Sequence, residues 1–232
     1  MNAQLPQKVK QLKGKVHDLT IGVNIECEFP FVNKIVEDYT MISSNYRLNL
    51  TSEIMNQSKT DEKIKGIFLA RFAHCVSFTI LKLSYQFVQS YWDNQLEYLQ
   101  KPFGFSNKQT AQKHLQTIFQ QQFNSSFIQL YSQGRQFITL KLKEQIVEEN
   151  ENFAYLFDSI LNTTSKQEDD KINNKKNALI ESCLQNMWNC LLSTPSLQPY
   201  PLEFLGKENG CNDIGYFTWP SLIRCDTNDL LD

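Results

Sequence analysis

His74 and Cys75 are the one place in the chain where an imidazole and a thiol are neighbours. A Cys/His pair would make a nucleophile, with the imidazole drawing the thiol proton. Adjacent residues on a helix point about 100° apart, however, so the spacing favours core packing over a working pair. The other histidines, His17 and His114, stand apart, and no His, Cys or carboxylate lies four residues from them in a metal-site pattern. No Cys-x-x-Cys occurs, so no structural zinc is expected. The chain has no G-x-G-x-x-G, no G-x-x-x-x-G-K-[ST] and no G-x-S-x-G, the usual signals for dinucleotides, nucleotide phosphates and a serine nucleophile. Gly206-Lys207 lacks both the loop before it and the hydroxyl after it. Asp169-Asp170 and the Asp226, Asp229 and Asp232 set lie in polar segments and read as solvated charge. No catalytic, cofactor-binding or metal-ligating residue is assigned, and the chain reads as a non-enzyme.

The six cysteines, Cys27, Cys75, Cys183, Cys190, Cys211 and Cys225, are dispersed in mostly apolar surroundings. They read as small hydrophobes in a reducing compartment. Cys183 and Cys190 fall seven apart on one predicted helix, roughly 10 Å along its axis, too far to pair while the helix is intact. Residues 1–15 carry no apolar core of signal-peptide type, so a cytoplasmic location is expected. Net charge is −2, and arginine is confined to Arg47, Arg71, Arg135 and Arg224. That balance speaks against phosphate readout, and no nucleic-acid partner is expected. The remaining candidates are binding residues. Lys8, Lys10, Lys13 and Lys15 form a basic arm suited to an acidic partner or anionic lipid. Tyr216, Trp219 and Pro220 would place aromatic side chains beside a strand edge.

Elements to carry these residues follow from periodicity. Residues 1–20 read as a polar arm and 20–232 as one domain. Ile21, Val23, Ile25 and Cys27 alternate with polar residues as in a half-buried strand. After Pro30, Phe31 to Asn49 reads as a helix, and Thr51 to Lys63 as largely loop. The longest apolar pattern, Ile64 to about Leu99, predicts a central helix. Fewer than a dozen residues separate Arg71 from Lys82, against the ~20 uncharged positions a membrane span needs, so a buried core helix is expected and no transmembrane segment.

Ser106 and Gln109 have capping-box spacing ahead of a helix carrying Ala111, Leu115 and Ile118. A further helix follows Asn124, where Gly134 sits between the core-facing Tyr131 and Ile138 and predicts a close helix crossing. Phe153 to Leu161 reads as a short helix, 163–177 as a polar linker, and 178–232 as a terminal helix followed by strands near 202–205 and 216–223. The fold expected is α+β and mainly helical: a bundle around the 64–99 helix, with a small sheet built from the N-terminal and C-terminal strands.

The end of the chain supports one further statement. A helix carrying Cys183 and Trp188 leads to Pro195, Pro199 and Pro201, a polar Gly-containing loop, and Tyr216-Phe217-Thr218-Trp219-Pro220-Ser221-Leu222. Over residues 178–224 this order resembles the C-terminal domain of the mitochondria-eating protein family. The resemblance implies a non-enzymatic interaction domain at the mitochondrial surface or on lipid, in mitochondrial quality control. The residues themselves lead first to a scaffold or structural subunit that binds other proteins in a large assembly. The Asn-, Gln- and Lys-rich composition is common in AT-rich protist genomes, which makes a ciliary, microtubule-associated axoneme or a mitochondrial assembly the expected host.

Overall fold

The computed structural model describes residues 31–57, 66–103, 108–162, 169–200, 219–226 and 230–231. Helix accounts for 85% of these residues, which sets the class as mainly helical with a small sheet. The N-terminal strand expected over 20–29, the basic arm, the 106–109 capping box and the 202–205 strand lie outside the described residues.

The first helical segment is α1 (Val32–Met41), a π-helical turn (Ile42–Tyr46) and α2 (Arg47–Gln57) in unbroken succession. Its core stripe runs through Ile35, Tyr39, Ile42, Tyr46, Leu50 and Ile54. From Ile42 to Ile54 these recur every fourth residue, and each such step overshoots a 3.6-residue turn by about 40°. Three steps would carry the stripe about 120° off the core. The wider i→i+5 turn absorbs that drift. Ser43 and Ser44 support it by donating their hydroxyls to the Thr40 carbonyl at 2.9 and 2.7 Å. The loop expected from Thr51 is corrected as far as Gln57. Burial of Thr51 and Ile54 keeps that turn helical.

The central helix α3 (Gly66–Phe103) packs against α2, against α5 (Phe123–Glu149) and against α7 (Asp169–Leu192). Between them, α4 (Lys108–Gln121) leads into α5 through the single residue Gln122, and α6 (Phe153–Leu156) continues as a π turn (Phe157–Leu161). Phe153 sits between Phe68 and Phe72 of α3, with ring centroids 5.1 and 5.5 Å away. Gly134 of α5 makes the expected close crossing. A Cβ there would meet the Leu184 methyls at 2.8 and 2.9 Å and the Phe87 ring at 2.9 Å.

Over residues 183–192 α7 is buried almost all round, as a helix enclosed by α1–α2, α3, α5 and the sheet must be. Trp188 lies at its centre, edge-on to Tyr91, Trp92 and Phe119 at 5.9, 6.1 and 5.2 Å. The linker expected over 163–177 is corrected in its second half. The helix starts at Asp169, and the lone apolar residue Ile172 is buried, which anchors the polar turn around it. At the other end, Gln116 Nε2 donates to the carbonyls of Leu191 and Ser193, and Gln120 Nε2 to that of Leu192. These side chains take up carbonyls that the helix terminus leaves without partners.

The sheet has the order β1 (Leu197–Tyr200), β2 (Ser221–Arg224), β3 (Leu230–Leu231), antiparallel throughout. Leu197 pairs with Arg224, and Leu222 with Leu231. Its described strands all come from the C-terminal part of the chain. Pro199 lies in β1, opposite Leu222. A proline donates nothing to a ladder and is tolerated at an edge. Pro220 directly precedes β2, and the described pairing begins after it at Ser221, while β2 itself has a neighbour on each side.

Candidate partner-docking groove

Two faces of the first helical segment differ in how far they are closed. One carries the sequence candidates Trp219 and Pro220. Tyr39, 6% exposed, donates its hydroxyl to the Pro220 carbonyl at 2.6 Å. Its ring lies 6.3 Å from that of Trp219, and the Arg47 guanidinium sits 5.3 Å from the Trp219 ring centroid. Burial is the main cause that pushes the Tyr39 hydroxyl well above its ordinary value, and Cys183 and Cys190 add to it. The pair Trp219–Pro220 is therefore a latch holding the entry to β2 on α1. Trp219 is half-buried there and Pro220 is buried, so the open aromatic edge expected at these two residues is corrected. The indole nitrogens of Trp188 and Trp219 are both buried without a hydrogen-bond partner. Packing holds the Trp188 indole, and Trp219 also has the Arg47 guanidinium over its ring. Tyr216 and Lys8, Lys10, Lys13 and Lys15 lie outside the described residues.

The other face opens into a groove of about 800 Å³ between α1, its π turn and α7. Val36, Met41, Ile42 and Tyr46 supply apolar surface on one side. Ser182, Gln185, Asn186 and Asn189 line the side formed by α7, at the three- and four-residue spacing that keeps them on one helix face. At the rim, Lys34 bridges Asp38 at 2.9 Å and Glu37 at 3.7 Å. All three are well exposed, and such pairs contribute little to stability. One cation against two carboxylates leaves the rim net negative.

The two buried asparagines differ. Asn186 is engaged at both ends: its Nδ2 donates to the Ile35 carbonyl at 2.9 Å, and its Oδ1 accepts from the Cys190 thiol at 3.5 Å. Asn189 is just as buried, at 2% exposure, but its Oδ1 has no partner. A carboxamide offers both a donor and an acceptor and does not titrate.

His74 and Cys75 make no nucleophilic pair. Cys75 is fully buried with its sulfur 3.9 Å from the Thr79 hydroxyl, and burial pushes its thiol up to about 12. Burial also raises Cys183 and Cys190, and it raises the exposed Cys225, with help from Asp226. Thiolates, the nucleophilic form, are thus disfavoured at all four. Burial, and then the Arg47 charge, lower His74. Among the described residues no group of His, Cys, Asp and Glu could hold a metal ion. Gly66–Tyr98 is long and apolar enough to cross a membrane, but 61% of its most apolar window is buried within the fold, as expected of a core helix.

The groove was not anticipated from the sequence. Its signal is the stripe Ser182, Gln185, Asn186 and Asn189 in a helix that is, Glu181 aside, otherwise apolar from Leu179 to Leu192, where solvation alone does not explain buried amides. No family model, no curated protein and no solved structure matches the chain.

Proposed function

We propose that this chain is a non-enzymatic structural or scaffold protein that works by binding other proteins as a subunit of a larger assembly. It acts in a reducing, cytoplasmic setting, with a ciliary axoneme or a mitochondrial assembly as host. The observation that carries this reading is the α1–α7 groove, which joins apolar walls to a buried carboxamide whose Oδ1 has no partner. Leaving a buried acceptor unsatisfied costs about 1–3 kcal/mol, which a docked partner would offset.

Gentle isolation of the tagged protein from its native cells tests the reading. A fixed set of proteins in constant ratio, retained at high salt, is the expected result. Recovery of the chain alone refutes it. Recovery of mitochondrial membrane that salt removes favours instead the peripheral, lipid-bound role implied by the resemblance over 178–224.

A further inference from the structure

We propose that the α1–α7 groove docks an extended segment of a partner protein, whose peptide group pairs with the Asn189 carboxamide and whose flanking side chains are one apolar and one basic. This rests on the scaffold reading and specifies the partner it requires.

The argument begins with Asn189, which is 2% exposed, lines the groove and has no hydrogen-bond partner at Oδ1. Its neighbour Asn186 does not relieve it: that amide bonds to Ile35 and Cys190 instead. A peptide group carries the same donor and acceptor pair as a carboxamide, and because Oδ1 is itself closed off, pairing with it turns the Asn189 side chain toward the groove. A helical partner cannot, since its backbone groups are spent within the helix. A lipid chain offers neither donor nor acceptor. An extended segment has its backbone free and sends alternate side chains to opposite sides, the arrangement by which strands are read in clefts.

The walls then choose the side chains. Met41, nearly half exposed, and Val36 present apolar surface to one of them. Glu37 and Asp38 outnumber Lys34 at the rim, so a Lys or Arg of the partner is favoured there. At about 800 Å³ the groove holds a short segment, so the affinity of this contact alone is modest.

The test selects a displayed library of random dodecapeptides on the full chain, synthesises the best binder, and measures its binding to variants. The expected peptides share an apolar residue near a Lys or Arg. Methylating one backbone nitrogen of the binder, or making Asn189→Leu, weakens binding by about tenfold or more, while Leu140→Glu on α5 leaves it unchanged. Asn189 is buried, so Met41→Glu at an exposed groove position is the second variant. It leaves the melting temperature unchanged and weakens the peptide about as much. A library that yields no binder, binders without that pattern, binders that tolerate methylation at every position, or binding insensitive to Met41→Glu overturns the proposal. A native assembly that survives Met41→Glu intact also overturns it while the scaffold reading stands. A chain isolated with no partner at all sinks the scaffold reading itself.

Discussion

Gly134→Ala sets two effects of similar size against each other. In a helix interior the change stabilises by about 1 kcal/mol through backbone propensity. Here the new methyl would lie 2.8 and 2.9 Å from the Leu184 methyls and 2.9 Å from the Phe87 ring. All three distances are well inside carbon–carbon contact, and Leu184 is fully buried between helices, with no free side to move into. Overpacking of this kind costs about 1–3 kcal/mol, so the net effect is a loss of up to about 2 kcal/mol. For a chain of this size that is a fall in melting temperature of up to about 8 °C.

Leu184→Ala alone leaves a cavity and costs about 2–5 kcal/mol. In that background two of the three clashes are gone, and Gly134→Ala becomes neutral or stabilising. Denaturant melts of the wild type, both single variants and the double variant give the coupling directly. The expected value is about 1–3 kcal/mol in favour of the double variant. Additive single costs, or a Gly134→Ala that stabilises the wild type by its full propensity gain, would refute the crossing as described.

Other predictions concern the latch, the thiols and the histidine. Tyr39→Phe strips the Pro220 carbonyl of its donor and lowers stability by about 1–3 kcal/mol, read by the same melts; no change would mean that the latch is not formed. Among the described cysteines, Cys225 reacts first with a thiol reagent in the native protein, and Cys75, Cys183 and Cys190 only on unfolding. Mass-spectrometric mapping checks this order, and a fast buried thiol would reopen the nucleophile reading. His74 sits below its ordinary value of 6.5, so the unfolded chain takes up that proton first as the pH falls. Its contribution is therefore complete above about pH 6.5 and is lost as the pH falls from there toward the lowered native value. His74→Gln should flatten that part of the stability profile, and a variant that parallels the wild type there would contradict the assignment.

The helices were legible wherever burial followed a helical period. The α3 stripe and the Gly134 crossing both follow from apolar spacing, since only a residue without a side chain fits between Tyr131 and Ile138 at a close contact. The π turn left a trace in the four-residue steps from Ile42 to Ile54, a drift that an unbroken α-helix could not keep on the core. The start of α7 was obscured because a single apolar residue, Ile172, anchors its first polar turns. β2 overlaps the strand expected near 216–223, but β1 was missed because Pro199 reads as a breaker, although an edge strand accommodates it. The docking groove depends on which face of α7 meets α1, and that is decided by packing between helices 150 residues apart in sequence, as the bond from Asn186 to Ile35 illustrates.

The measurement that bears most directly on the central claim is the native size and composition of the tagged chain, purified gently from its own cells at high salt. Wild type and Met41→Glu should be compared side by side. A larger particle of constant composition for the wild type, and loss of one defined partner in the variant, is what a scaffold docking through the α1–α7 groove predicts. A wild-type chain that elutes alone at the size of a monomer would contradict it.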